Sequence, residues 1–175
     1  MYEILYYDEK NTWILTKKDN NMEWQVIQSY GFRNTVEDGK VTGFQFKVRN
    51  PYYRGVYLSQ VLTGYCTIDG EDIQRDNIQW QIAGETYTWQ EMIEDRWTNW
   101  DKLQCATILV KKPGGLKQGW HDLRYSFSST KSYMPPMMNN ANAALQPDPD
   151  PERSKTSSYA NEFGTTHHYR RLLIV

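Results

Sequence analysis

The sequence consists largely of short runs in which apolar and polar residues alternate, and each run ends at a turn signal. In the run 77–82 (NIQWQI), Ile78, Trp80 and Ile82 alternate with two glutamines. Successive side chains of a strand point to opposite faces, so this period predicts a strand with one buried face. Such runs recur over residues 1–128, a spacing typical of a sandwich or barrel. We therefore predict an all-β fold, an antiparallel β-sandwich.

Glycine-containing turns separate the strand-like runs. The Asp-Gly pairs at 38–39 and 69–70 adopt positive φ easily, and each predicts a hairpin between antiparallel neighbours. The run 103–112 (LQCATILVKK) predicts a strand that is buried on both faces. The Pro-Gly-Gly at 113–115 predicts a third hairpin, with a wider loop, leading to the strand-like run 120–127 (WHDLRYSF).

The run 88–97 (TWQEMIEDRW) has the clearest helix signal in the chain. Thr88 can accept a hydrogen bond from the amide three residues on, and Glu91 can reach back to close a capping box. We therefore predict one short helix, which plugs an end of the sandwich.

The composition changes at residue 132, where the chain becomes rich in Pro, Asn, Ser and Met. Such a segment does not form regular sheet, and it is longer than most loops of compact domains. Methionines beside two prolines at 134–138 form an adaptable apolar surface, which favours a partner-contacting arm over a solvated linker. We predict a single β-sandwich domain over 1–175, with an arm at 132–166 and a returning strand at 169–175.

Composition argues against several classes of protein. The formal charge is -1, from 20 basic and 21 acidic residues without long like-charged runs, which disfavours a nucleic-acid or anionic-membrane surface. No apolar stretch approaches the roughly 20 residues of a membrane-spanning helix, and the first ten residues lack signal-peptide features. We therefore predict a cytoplasmic protein, in which Cys66 and Cys105 are buried free thiols.

Motifs for catalysis and for metal binding are missing from the sequence. His121 lies in a strand-like run, and His167 and His168 are adjacent, so they cannot both face one ligand in an extended chain. A GxSxG elbow is absent, and the glycine-rich segment 112–119 lacks the GK[ST] ending of a phosphate-binding loop. A pair of catalytic carboxylates stays open, because only distance would identify one.

Two segments, GFRN at 31–34 and VRNPYYRG at 48–55, combine arginine with aromatic rings. Planar cations and rings of this kind are enriched in binding surfaces. Each arginine can equally be a buried one that is paired with backbone carbonyls.

An ordered series of segments resembles the small beta subunit of bacterial C-glycoside deglycosidases. The resemblance covers about residues 28–135 and the terminal strand. Its segments are GFRN (31–34), EDGK (37–40), GFQFKVRNPYYRG (43–55), TIDGE (67–71), KPGGLKQGWHDL (112–123) and SYMPP (132–136).

The resemblance implies a β-sandwich subunit that pairs with a larger alpha subunit of TIM-barrel type, in a heterodimer or a higher heteromer. The alpha subunit would hold a divalent metal, manganese, and the main acid and base groups, while this chain would bind no cofactor and supply no catalytic residue. The implied reaction cleaves the carbon–carbon bond of 3-oxo C-glycosides of the flavonoid type by metal-assisted elimination, giving the aglycone and an anhydro-enone sugar. The expected substrate or partner contacts are Arg33, Arg49, Tyr52, Tyr53, Arg54, Tyr133, Met134 and Pro135.

Two other functions are compatible with the same residues. A β-sandwich rich in Trp and Tyr can stack sugars without catalysis, as a carbohydrate-binding module does, and it would bind sugar as a single chain. A stand-alone enzyme with a dispersed acid and base would be active without any partner.

Overall fold

The protein is described by a computed structural model over residues 4–7, 13–16, 22–130, 133, 141–155 and 166–175. These residues form β-strands, one α-helix and short 3-10 helices. The strands are β1 (Ile4–Tyr7), β2 (Trp13–Thr16), β3 (Arg33–Glu37), β4 (Lys40–Arg49), β5 (Val56–Tyr57), β6 (Val61–Ile68), β7 (Glu71–Ile73), β8 (Ile78–Ile82), β9 (Glu85–Tyr87), β10 (Asn99–Trp100), β11 (Cys105–Lys111), β12 (Gly119–Ser129) and β13 (His167–Ile174). The helices are α1 (Trp89–Glu94) and the 3-10 helices Leu58–Gln60, Arg75–Asn77, Ala141–Leu145 and Arg153–Lys155.

Two antiparallel sheets form the body of the molecule. One has five strands in the order β3-β4-β11-β8-β9, and the other has four in the order β13-β12-β6-β7. Two short ribbons, β1-β2 and β5-β10, accompany them. The predicted fold class, an antiparallel β-sandwich, is confirmed.

Aromatic rings from the two sheets meet in the core. Phe46 of β4 lies 5.2 Å from Tyr125 of β12, and Trp80 of β8 lies 5.5 Å from Phe127 of β12, both as ring centroids in edge-to-face contact. Trp80 is fully buried and also meets Trp100 edge-to-face at 5.1 Å. Such pairs add stability beyond the apolar area that they bury. The alternation in β8 thus places its large residues between the sheets.

Two of the three predicted hairpins are present. The Asp-Gly turns at 38–39 and 69–70 join β3 to β4 and β6 to β7, and all four residues have positive φ. The third prediction is wrong, because β11 belongs to the five-stranded sheet and β12 to the four-stranded sheet. The segment 112–118 therefore carries the chain from one sheet to the other. A turn signal fixes the local backbone but not which strand the chain pairs with next.

The burial predicted for β11 is also wrong in part. Ile108 and Val110 are buried, whereas Leu109 is only partly buried. Leu109 lies opposite Gln45 of β4 and Gln79 of β8, so the outer face of this central strand has polar neighbours. One face of this strand is therefore buried, and the other is only partly covered.

Helix α1 begins as predicted and ends earlier. The Thr88 hydroxyl accepts a hydrogen bond from the Glu91 amide at 3.3 Å, and the Glu91 carboxylate accepts one from the Thr88 amide at 2.7 Å. The Asp95 carboxylate ends the helix by accepting from the amides two and three residues on, at 2.8 Å each. Across the described parts of the chain, no helix is long and apolar enough to cross a membrane.

Part of the predicted arm packs on the outer face of the four-stranded sheet. We call residues 143–155 the strap. The Ser126 hydroxyl donates a hydrogen bond to the carbonyl of the fully buried Ala144 at 2.6 Å. Arg124 donates to the Pro151 carbonyl at 3.1 Å, so the strap is held at two points. The returning strand is β13, which pairs with β12, whereas arm residues 134–140 and 156–165 lie outside the described residues.

Gly64 of β6 lies where the strap comes closest to the sheet. A Cβ at this position would be 1.9 Å from the Ala144 carbonyl oxygen, so we expect Gly64→Ala to displace the strap. The expected loss is about 1–3 kcal/mol of unfolding free energy in urea, with faster amide exchange over the strap. The control is Gly84→Ala, which has positive φ but meets no atom within 4 Å, so its strain should leave strap exchange unchanged. Equal strap exchange in both variants would contradict this account.

Candidate functional site

A buried asparagine shapes the loop that follows β4. Asn50 is 1% exposed, and its side-chain amide donates to the Arg54 carbonyl at 2.9 Å and to the Trp100 carbonyl at 3.3 Å. Its side-chain oxygen accepts from the Tyr52 amide at 3.0 Å. Buried asparagines that bond to their own loop fix a turn in one conformation. Asn50 therefore positions the residues at 52–54, a role that the sequence analysis missed.

Four of the predicted contact residues come together at this loop. We call Tyr52, Tyr53, Arg54 and Tyr133 the tyrosine cluster. The Tyr52 hydroxyl donates a hydrogen bond to the Tyr133 hydroxyl, and their ring centroids are 6.4 Å apart. The centroids of Tyr52 and Tyr53 are 4.3 Å apart, and the Arg54 guanidinium lies 5.1 Å from the Tyr53 centroid. The structure thus joins two segments that are 81 residues apart in sequence.

Burial divides the tyrosine cluster into an anchor and an exposed surface. Tyr52 is 8% exposed, whereas Tyr53 is 55% and Tyr133 is 57% exposed. A buried ring that holds exposed rings in place reduces the conformational entropy that they lose on binding. The cluster therefore offers preorganised aromatic faces and one cation to a partner or a flat ligand.

The phenols of the tyrosine cluster differ in acidity. Burial and the hydrogen bonds with Tyr133 and Tyr53 raise the pKa of Tyr52 above its usual value. Hydrogen bonds from Tyr52 and Tyr133, together with the nearby Arg54 cation, lower the pKa of Tyr53. Tyr53 thus loses its phenol proton more readily than Tyr52 does.

Arg49 has a structural role at the end of β4. Its guanidinium lies 4.9 Å from the Trp24 ring centroid, and its Nε donates to the Trp24 carbonyl at 2.5 Å. A second donor of the guanidinium reaches the Asn50 carbonyl at 3.2 Å, and burial lowers the pKa of Arg49. Arg49 thus pairs with backbone carbonyls, one of the two roles that the sequence left open.

The structure places Arg33 away from the cluster. It is exposed at the start of the edge strand β3, opposite Gln45 of β4. Gln45 lies four residues before Arg49, or about 13 Å along the strand, and the loop that carries the cluster begins only after Arg49. The remaining two predicted contacts, Met134 and Pro135, lie outside the described residues.

The ribbon β5-β10 is joined to the loop at 50–54 by the Asn50–Trp100 hydrogen bond, and it carries two exposed rings. Tyr57 of β5 is 47% exposed, and Trp97, just before β10, is 79% exposed. Gly55 permits the close approach of these strands, since a Cβ there would be 2.1 Å from the Asn99 side-chain oxygen. Two-residue strands have too little alternation to be recognised in the sequence.

His121 is fully engaged by its neighbours. Its Nδ1 lies 2.6 Å from the Asp69 carboxylate and its Nε2 lies 2.8 Å from the Lys117 carbonyl oxygen. Burial lowers the pKa of His121, but these two interactions outweigh it and leave the pKa above the usual value. Hydrogen bonds from His121 and the Asp122 amide outweigh burial at Asp69 and lower its pKa. Both ring nitrogens of His121 thus have hydrogen-bond partners within the fold.

The His121–Asp69 pair predicts a pH-dependent contribution to stability. The raised pKa of His121 gives a stabilising contribution that is complete below about pH 6.5 and is lost as pH rises through the folded-state pKa. The lowered pKa of Asp69 gives a contribution that is complete above about pH 3.8 and is lost as pH falls through the folded-state pKa. Urea unfolding should therefore show the largest deficit of His121→Gln between about pH 4 and 6.5 and a small one at pH 9.

His167 provides the control for this prediction. Burial lowers the pKa of His167, so its protonation disfavours the folded state and wild-type stability relative to His167→Gln should rise with pH. If the two variants gave the same pH trend, the ion pair between His121 and Asp69 would be ruled out as the cause.

Ligand-type side chains do not gather into a metal site in the described part of the chain. No three His, Cys, Asp or Glu side chains there come together as metal ligands. Both cysteines are free and buried, as predicted, and burial raises the pKa of the Cys66 thiol. The described residues therefore do not fit a divalent metal.

Comparison with known proteins agrees with the resemblance of the ordered segments. The family model of the C-glycoside deglycosidase beta subunit matches residues 22–133, which include the whole tyrosine cluster. The chain is 52% identical over 155 residues to a C-glycoside deglycosidase beta subunit of Eubacterium cellulosolvens, covering 88% of this chain and 100% of that relative. Two beta subunits of Arthrobacter globiformis are 26% identical over 78 residues and 33% identical over 68 residues. These matches cover 45% and 39% of this chain, and 60% and 52% of those relatives.

The family model spans most of the sandwich, and the Eubacterium relative aligns along its whole length. This chain therefore belongs to the family of C-glycoside deglycosidase beta subunits.

Proposed function

We propose that this chain completes the substrate pocket of a heteromeric carbon–carbon lyase whose acid and base groups lie on a larger alpha subunit. The tyrosine cluster is the observation that carries this proposal. Three of its four residues are exposed, and Asn50 and the Tyr52–Tyr133 hydrogen bond hold them in one arrangement. The chain that carries the cluster belongs to a family of enzyme subunits. An exposed, preorganised aromatic surface on a subunit is suited to a partner protein.

The residue types of the cluster support a protein contact. Tyr, Trp and Arg dominate the few interface residues that carry most of the binding energy. Tyr53 and Arg54 provide such residues side by side, and the exposed Tyr57 and Trp97 extend the surface along the adjoining ribbon. We propose that the alpha subunit, a TIM barrel, covers this surface.

The proposed substrate requires an elimination rather than a hydrolysis. A C-glycoside has no leaving oxygen to protonate, so the usual acid-catalysed hydrolysis of glycosides is closed to it. In a 3-oxo sugar the ketone acidifies the hydrogen on carbon 2, and a base that removes this proton starts an elimination. The aryl carbon then leaves and is protonated, which gives the aglycone and an anhydro-enone sugar.

This chain would shape the substrate pocket and exclude water from it. The ring of Tyr53 offers a flat face to a flavonoid-type aglycone, and a closed interface excludes water from the carbanionic stage. As the family resemblance implies, we assign the divalent metal, manganese, to the alpha subunit and no step of the reaction to a metal on this chain.

Mixing of separately purified subunits tests the proposed function. We expect the release of aglycone from a 3-oxo C-glycoside to need both chains and to saturate at a fixed ratio of the two. Each chain alone should release little product. Full activity of the alpha subunit alone, or cleavage by this chain alone, would contradict the proposal.

A further inference from the structure

A cavity with both polar and apolar lining lies between the strap and the outer face of the four-stranded sheet. Its volume is about 240 Å³. The side chains that matter for its chemistry are Tyr65, Thr67, Asp72, Arg124, Asp148 and His167. The proposed function uses none of these residues.

The floor of the cavity is a row of polar residues on neighbouring strands. Thr67 of β6 lies directly opposite Arg124 of β12 and directly opposite Asp72 of β7. Directly paired residues of antiparallel strands point to the same face of the sheet. A hydroxyl, a guanidinium and a carboxylate therefore stand side by side under the strap.

The roof and sides of the cavity neutralise the cation of this row. The Asp148 carboxylate of the strap lies 3.6 Å from the Arg124 guanidinium, which also donates to the Pro151 carbonyl. The guanidinium additionally lies 5.0 Å from the Tyr169 ring centroid. With its charge compensated in this way, Arg124 has little attraction left for an anion.

The other polar groups of the cavity suit hydroxyl groups. Asp72 accepts a hydrogen bond from the Tyr65 hydroxyl at 2.5 Å, and a carboxylate can accept several more. Burial lowers the pKa of His167, so its ring is neutral near pH 7. One ring nitrogen bonds to the Ala143 carbonyl, and the other can accept a hydrogen bond from a ligand. Thr67 offers a hydroxyl that can donate and accept.

We propose that this cavity binds a neutral, polyhydroxylated ligand of monosaccharide size. The volume is below the roughly 300–1,000 Å³ of pockets for drug-sized ligands, and the mixture of donors, acceptors and one phenol ring matches the hydroxyls and the apolar face of a sugar ring. The proposal concerns this chain alone and does not depend on the proposed lyase function.

Saturation-transfer NMR on the full chain tests the inference, with D-glucose as the neutral probe and D-glucuronate as its anionic counterpart. We expect the wild type to bind D-glucose and to bind D-glucuronate about tenfold more weakly or worse, because the cavity carboxylates repel the anion. Thr67→Val removes one hydroxyl at constant shape and should weaken D-glucose binding about fivefold.

The preference between the two probes should reverse in Asp148→Asn. This variant leaves the Arg124 cation uncompensated, so D-glucuronate should gain at least about tenfold relative to D-glucose. The matched control is Glu152→Gln, which loses the same charge within the strap at a residue paired with Lys155 outside the cavity. It should leave both affinities unchanged, and thermal unfolding should show that every variant is folded.

Three results would overturn the inference. They are the absence of D-glucose binding to the wild type, equal D-glucose binding by wild type and Thr67→Val, and an unchanged probe preference in Asp148→Asn. The mixing experiment with the alpha subunit does not probe this cavity, so failure of one proposal leaves the other standing.

Discussion

Replacing Tyr53 with alanine is expected to weaken binding to the alpha subunit by about tenfold to a hundredfold, the loss typical of a central aromatic interface residue. The ring is 55% exposed, packs against the Tyr52 ring at a tilt of 56° and lies beside the Arg54 guanidinium. Removal of so exposed a ring should change the unfolding free energy by about 0.5 kcal/mol or less. Surface plasmon resonance and urea unfolding measure the two quantities separately.

The other members of the cluster should give weaker losses in the same direction. Arg54→Ala removes the cation beside the Tyr53 ring, and Tyr133→Ala removes a ring and the hydrogen-bond partner of Tyr52. Combined variants should be less than additive, because these residues form one contact network. The control is Trp120→Ala, which removes a 61% exposed ring on β12. Equal effects of Trp120→Ala and Tyr53→Ala would show that the cluster has no special role.

The largest expected effect on stability belongs to Trp80→Ala. Trp80 is fully buried between the sheets and meets Trp100 and Phe127 edge-to-face, with ring centroids at 5.1 Å and 5.5 Å. Truncation of a buried tryptophan removes both its transfer free energy and its packing contacts, and typically costs about 3–5 kcal/mol. We expect a loss of that size in urea denaturation, with a lower midpoint.

Trp97→Ala is the matched control for Trp80→Ala. The same chemical change at a side chain that is 79% exposed should cost about 0.5 kcal/mol or less. Because Trp97 extends the surface beside the tyrosine cluster, this variant should nevertheless weaken binding of the alpha subunit. A large stability loss in Trp97→Ala, or a small one in Trp80→Ala, would contradict the described core.

Local signals predicted the parts of the fold that depend on a few neighbouring residues. The alternation in 77–82, the Asp-Gly turns and the Thr88 capping box each specify a conformation within about six residues, and each is present. The same kind of signal failed at 113–115, because a turn does not determine which of two sheets the next strand joins. Pairing between strands is decided by the whole core.

The candidate site was only partly predictable for the same reason. The segment 48–55 indicated a binding surface, but its sequence cannot show that Arg49 turns to Trp24 while Tyr52 meets Tyr133, 81 residues away. The packing of the strap was equally unpredictable from the sequence. Nothing in the sequence around Gly64 indicates that the Ala144 carbonyl packs against this glycine. Contacts between segments that are distant in sequence produce no periodic pattern in the sequence of either segment.

Hydrogen exchange of this chain with and without the alpha subunit is the most direct test of the proposed contact surface. We predict slower amide exchange at 52–57 and 97–100 in the complex, with little change in β3 around Arg33. Protection confined to β3, or to the strap at 143–155, would place the partner on another face and contradict the assignment of the tyrosine cluster.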